Sequence, residues 1–141
     1  MRLSTKARYA VRAMIELALN YNGGPLKLKT IADNQDLSIK YLEQVMNPLR
    51  VNGYVITQKG SRGGYRLVKP PGQVNLYDLI CSVEGSLAPV DCVESPDVCD
   101  RVNTCVTRDV WVRVHRAIIR ELQSITLADL AGEQQKLLAE S

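Results

Sequence analysis

Cys92, Cys99 and Cys105, three of the chain's four cysteines, fall within the fifteen residues DCVESPDVCDRVNTC. Six residues separate the first pair of thiols and five the second, enough slack for one loop to turn all three toward a common centre. Thiolates select soft or borderline metals, so zinc and iron–sulfur clusters are the metal chemistries open to such a loop. Structural zinc typically takes ligands paired two to four residues apart, and no such pair occurs here. Disulfides are the third option, and they belong mainly to small secreted chains. The N-terminus, MRLSTKARYAV, has no apolar leader or small-residue cleavage site, and no apolar run approaches the roughly 20 residues that span a bilayer. The expectation is a cytoplasmic protein with no membrane association, whose thiols stay reduced.

Such a loop needs a scaffold and something to control. With 141 residues, 45% of them hydrophobic, the chain can bury one ordinary domain core. Its net charge of +3 hides an asymmetry. Residues 1–72 hold twelve Lys and Arg against four Asp and Glu, a local +8, while residues 73–141 hold six against eleven, a local −5. A basic half suits a polyanion, because each phosphate neutralised by Lys or Arg releases condensed counterions. The basic residues interleave with core positions and do not line one amphipathic face, which argues against a membrane surface.

The elements read in order. Ser4 is a candidate N-cap for a first helix with Ala7, Ala10, Val11, Met14, Ile15, Leu17 and Ala18 at helical spacing, stopped by Asn22-Gly23-Gly24-Pro25. A short second helix spans Lys29 to Gln35, and Asp36-Leu37 forms a tight connection to Ser38. Ser38 caps a third helix with Ile39, Leu42, Val45, Met46 and Leu49 as its inner stripe. Pro48 predicts a kink or an early tightening there, since proline removes a hydrogen bond and clashes with the carbonyl four residues back. Tyr54–Thr57 and Tyr65–Val68 are β-rich runs around the glycine-rich tip Gln58–Gly64, a hairpin. Pro70-Pro71-Gly72 marks a domain edge, dividing a DNA-binding unit, 1–72, from a cysteine-loop and dimerisation unit, 73–141.

Beyond that edge Asn75 caps a short helix closing at Gly85, with Cys81 on its apolar stripe, where it reads as a small buried hydrophobe. After the cysteine loop comes a long helix, Val106 to Ser124, with Trp111, Val114, Ile118, Leu122 and Ile125 in line. Thr126 and Asp129 form a capping box for a last short helix. The predicted fold is mostly α with a small β wing: a winged helix-turn-helix plus a long C-terminal dimerisation helix.

In that fold the third helix lies in the DNA major groove and its outward side chains reach bases and phosphates. Those positions hold Ser38, Lys40, Tyr41, Glu43 and Gln44. Gln can bond adenine at two edge atoms, Glu can accept from cytosine, and Lys can reach guanine or phosphate. Lys59 and Arg62 on the wing tip would meet phosphates or the minor groove, with Gly60, Gly63 and Gly64 permitting close backbone approach. A homodimer through the long helix would place two reading helices about 34 Å apart, or a multiple of it, on double-stranded DNA with a pseudo-palindromic operator. No catalytic acid, base or nucleophile set is apparent, so the chain does not read as an enzyme or as an iron–sulfur electron carrier.

The segments MRLSTKARYAV, SIKYLEQVMNPLRVNGYV and GSRGGYRL, with the spacing of the three cysteines, together resemble the Rrf2 family of bacterial transcription regulators, most closely its iron–sulfur-sensing branch. The resemblance covers nearly the whole chain and weakens after about Leu127. It implies a winged-helix homodimer joined by a long crossed helix, with Tyr41, Leu42, Glu43 and Gln44 on the reading helix. It also implies that Cys92, Cys99 and Cys105 ligate an iron–sulfur cluster, [2Fe-2S] or [4Fe-4S], whose state alters DNA affinity in response to redox, nitric oxide or iron–sulfur status.

One position departs from the family's pattern. A histidine three residues past the third cysteine completes the site in that pattern, and here the position is Arg108, which keeps its proton and cannot ligate. His115, the only histidine, lies seven residues further, about 10 Å along a helix at 1.5 Å per residue, and reads as a surface or dimer-interface residue. The acidic residue that some members place near the start of helix one is replaced by Arg8. The remaining candidates for a fourth ligand are Asp91, Glu94, Asp97, Asp100, Asp109, Cys81 or an exogenous group. A cluster with one weakly held iron would be labile to oxygen, nitric oxide or iron loss. The rival within the same family is control by thiol redox, zinc or a protein partner without a cluster.

Overall fold

The structure, a computed structural model, describes residues 2–141. Helix α1 spans Thr5–Leu19, and its N-cap Ser4 accepts the Ala7 N–H on Oγ at 3.0 Å. Helix α2, Leu28–Gln35, starts one residue before the predicted position, at a Lys27 N-cap that makes no side-chain bond. Asp36 then adopts φ 54°, a left-handed turn residue, and Leu37 N–H bonds Ala32 O at 2.9 Å. That turn sends the chain into α3, Ile39–Val51, capped by Ser38 through a 3.0 Å bond from Tyr41 N–H.

Two details of α3 differ from the sequence reading. Ile39 is 45% exposed, because as the first helical residue it precedes the inner stripe of Leu42, Val45, Met46 and Leu49. The helix also keeps its α register past Pro48, with Asn52 N–H on Pro48 O at 3.0 Å, instead of tightening early. Pro48 stands in the last turn, where only one backbone bond is forfeited.

Strands β1, Val55–Gln58, and β2, Gly64–Leu67, pair antiparallel from Val55 opposite Leu67 to Gln58 opposite Gly64. Tyr54 and Val68 lie outside the strands, although Val68 N–H still bonds Tyr54 O at 3.0 Å. Leu26 adds a bridge to Tyr65 through two 2.8 Å bonds and ties the wing to the start of α2. Helix α4 follows, Leu76–Glu84, capped by Asn75. Two short 3₁₀ turns, Asp91–Val93 and Pro96–Val98, interrupt the cysteine segment before α5, Val106–Gln123.

Helix α6, Leu127–Glu140, begins at the expected Thr126–Asp129 capping box, but its 14 residues make it longer than the short helix predicted. It returns to lie along α1, so one hydrophobic cluster joins Met14, Ile31, Leu42, Met46 and Leu49 with Val74, Leu79 and Leu127. Each fully buried Leu or Ile of that cluster contributes roughly 1.5–3 kcal/mol of transfer free energy. Among the described residues no helix is long and apolar enough to cross a membrane.

Candidate nucleic-acid interface and cysteine segment

The outer face of α3 presents Lys40, Glu43 and Gln44 to solvent, with Ser38 exposed at its N-terminus. Behind them the inner stripe is at most 1% exposed, so the core sets the direction of the outer side chains. Tyr41 is different. Its half-buried ring packs edge-on against Tyr9 at 6.1 Å and 88°, and Arg12 lies 5.0 Å over the other ring. Tyr41 therefore braces α3 on α1 as well as lying at the outer face. Leu42, on the reading helix by resemblance, is fully buried and belongs to the core.

Lys40, Glu43 and Gln44 line one shallow hollow together with Lys6 of α1 and Asn47 of α3. Asn47 falls on the outer face of α3 by its helical spacing from Gln44, whereas Lys6 has no sign in the sequence and joins only because α1 packs across α3. Arg50 Nη2 donates to Asn47 Oδ1 at 2.9 Å and extends this polar face toward the wing.

Lys59 and Arg62 stand exposed at the wing tip. The tip is closed by Gly63 N–H on Gly60 O at 3.0 Å, with Gly60 at φ +104°. Gly63 and Gly64 also meet a need within the chain itself. A Cβ on Gly63 would collide with the Gln58 carbonyl, and one on Gly64 with the Leu26 carbonyl. Both glycines let the hairpin close on its own chain.

The cysteine segment is built differently. Cys92 is half-buried in the first 3₁₀ turn, Cys99 is exposed just after the second, and Cys105 is the N-cap residue of α5. Cys105 Sγ lies 3.1 Å from Thr107 Oγ1. The Thr107 hydroxyl and the Arg108 backbone N–H stabilise its thiolate, so its pKa is lowered from the usual thiol value. Cys81 on α4 moves the opposite way, pushed up chiefly by burial, and its Tyr77 neighbour is pushed up to about 12 for the same main reason. Cys81 is half-buried, not fully buried as its place on the apolar stripe predicted.

Arg108 fills the position of the missing histidine and has its own partner, donating from Nε to the Cys92 carbonyl at 3.2 Å. His115, expected at a surface or dimer interface, is instead 7% exposed, with Nε2 3.3 Å from Glu94 Oε1 and Nδ1 without a partner. Glu94 lies 21 positions away in a loop without periodicity, so spacing along the chain carries no sign of this neighbour. Arg108 and His115, two turns apart on α5, thus hold the Cys92–Glu94 turn at two points.

Three reduced thiols on one loop fit an iron–sulfur cluster in kind, since thiolates bind its irons and all four cysteines are free. The placement is not that of a closed ligand set. Among the described residues no three Cys, His, Asp or Glu side chains come together closely enough to hold one metal ion, so the loop would have to draw its thiols together to bind.

The Rrf2 family, described as "Iron-dependent Transcriptional regulator", matches residues 3–133. This chain belongs to the Rrf2 family. It is 40% identical to the HTH-type transcriptional regulator CymR of Bacillus subtilis over 96% of both chains, and that protein's structure, titled the global cysteine regulator, superposes with a TM-score of 0.80 at 38% identity, covering 94% of this chain and 98% of that one. T. potens IscR superposes with a TM-score of 0.79 at 38% identity, covering 97% of this chain and 90% of that one. The oxidized form of Staphylococcus aureus CymR gives 0.74 at 34% identity, covering 93% of this chain and 96% of that one. As an Rrf2 protein the chain is a DNA-binding transcriptional regulator and not an enzyme.

Proposed function

We propose that this regulator acts as a homodimer on a pseudo-palindromic operator in double-stranded DNA, reading it with Ser38, Lys40, Tyr41, Glu43 and Gln44 and gripping phosphates with Lys59 and Arg62, and that an iron–sulfur cluster on Cys92, Cys99 and Cys105 controls its affinity. The observation that carries this reading is the position of the thiols. They occupy the segment leading into α5, and Cys105 is the helix's own N-cap residue. A change that gathers the three sulfurs pulls directly on the element that would join two subunits.

Dimerisation is supported by the surface that a single chain leaves open. On α5 Trp111 is 39% and Val114 40% exposed, and His115 alone is buried. Beside that helix a mainly apolar hollow of about 550 Å³ is lined by Leu3, Val11, Leu76, Ile80 and Leu122, with Arg8 and Arg12 also at its wall. A second copy would remove both surfaces from water at about 25 cal/mol per Å².

When bound, the cluster would supply a redox- and ligand-sensitive charge at the head of α5. Arg108 cannot complete its ligand set, being always protonated and bonded to Cys92 O. Anaerobic preparation tests the reading: a visible absorption band, iron and sulfide in the protein, and a changed operator affinity in Cys92→Ala are expected. A colourless protein with no iron or sulfide whose DNA binding ignores Cys92→Ala would refute it.

Thiol redox control is the second reading, and Cys105 favours it. Its sulfur sits at a helix N-terminus beside a hydroxyl, a setting that favours thiolate, and the S. aureus CymR relative has been solved in an oxidized form. Peroxide treatment of metal-free protein would then change operator affinity, and Cys105→Ser would abolish the change.

A further inference from the structure

The N-terminus of α1 is capped in an unusual way. In a capping box the third helical residue reaches back with a carboxylate to the N-cap N–H, as Asp129 does for Thr126 at 2.9 Å. In α1 that third residue is Ala7, 1% exposed in the core, where a carboxylate has no room, and the first turn holds no acidic side chain. The acceptor comes from 80 residues away. Glu84, the last residue of α4, accepts the Ser4 N–H at 3.1 Å and the Ser4 Oγ–H at 2.6 Å on one carboxylate oxygen, and Ser4 Oγ accepts the Ala7 N–H at 3.0 Å. A negative charge there also suits the positive end of the helix dipole.

The same last turn of α4 touches the other DNA-facing helix. Asn52, the C-cap of α3, donates from Nδ2 to Ser82 O at 3.4 Å and to Pro48 O at 2.7 Å. Two residues past Ser4 comes Lys6, which lines the hollow shared with Lys40, Glu43 and Gln44. Directly after Glu84, Gly85 turns the chain at φ +85° into the segment that reaches Cys92 seven residues later. The end of α4 therefore touches the head of α1 and the tail of α3, and the chain that leads to the thiols departs from it.

We infer that Glu84 is a positioning residue that carries the state of the cysteine segment to the DNA-reading face by holding the Ser4 cap of α1. The inference rests on the regulatory reading above. Displacement of the segment between Gly85 and Cys92 moves the Glu84 carboxylate relative to Ser4. The head of α1 then follows or frays, and Lys6 shifts against Lys40 and Gln44.

The test uses full-length wild type, Glu84→Ala and Glu84→Gln, each as reduced metal-free protein, as protein reconstituted anaerobically with ferrous iron and sulfide, and as peroxide-treated protein. Binding is measured to a duplex that the wild type selects from a random library. The wild-type affinity ratio between states, about 5- to 150-fold for coupled sites, is expected to fall below about twofold in Glu84→Ala. Glu84→Gln, which keeps an acceptor without the charge, should fall between the two. Amide exchange at Ala7 should differ between states in wild type and not in Glu84→Ala.

A cap that merely stabilised α1 would weaken binding in every state and leave the ratio intact. Variants that keep the full wild-type ratio overturn the inference alone, and Glu84→Gln decides should Glu84→Ala fail to fold. A wild-type ratio of one in every state overturns the regulatory reading and this inference with it.

Discussion

In α3 the four inner side chains, Leu42, Val45, Met46 and Leu49, are each at most 1% exposed, whereas the whole stretch from Ser86 to Cys105 buries a single side chain, Leu87. Helix α3 is thus held by apolar contact along its whole inner face. The thiol segment is held by discrete polar contacts, chiefly Arg108 to the Cys92 carbonyl and His115 beside Glu94. Segments with few buried apolar contacts open locally at far lower free energy than core helices. The molecule thus seats α3 on its core and carries three of its thiols on a loop that little holds.

Leu42→Ala should damage the first region most. It empties a fully buried site and should cost about 2–5 kcal/mol, read as a lower urea midpoint, with the outer face of α3 losing its definition. Gln44→Ala should leave stability unchanged and reduce discrimination between operator variants by about 1–3 kcal/mol in competition binding. A stability loss like that of Leu42→Ala would show that Gln44 helps to hold the helix.

Changes in the thiol segment should be smaller and local. Arg108→Ala removes one hydrogen bond, worth about 0.5–1.5 kcal/mol. Amide exchange should quicken around Cys92 while the melting of the helical body stays put. Global destabilisation there would erase the distinction between the two regions.

The smallest effect is one of reactivity. Only the thiolate attacks an alkylating agent, so Cys105, with its pKa lowered by Thr107 and the Arg108 N–H, should react at pH values below those needed by a free thiol. Cys81, raised by burial, should need higher pH. Mass spectrometry of partly alkylated, metal-free protein across pH would show Cys105 labelled before Cys81, and the reverse order would contradict the geometry.

Local rules made the helix starts legible. Ser4, Ser38, Asn75 and the Thr126–Asp129 box could be recognised because a cap is satisfied within four residues of itself. Periodicity located the inner stripe of α3 and misplaced Ile39, because a first-turn residue has no preceding turn to pack beside. The wing was readable from its β-branched runs and glycines, but the reason for Gly64 was not, since the carbonyl it accommodates belongs to Leu26.

In the functional region, spacing and residue type pointed to the thiols and to Arg108. They were silent on His115 against Glu94, on Lys6 beside Lys40 and on Glu84 under Ser4, contacts spanning 21, 34 and 80 positions. By itself the sequence determined which chemistry the chain can carry and where its helices begin, because thiol type, charge and cap geometry act over a few residues. Only the tertiary structure decided which arginine holds the thiol loop and which glutamate caps α1, because those partners become neighbours only when α4, α5 and α6 fold back onto a core that the separate segments share.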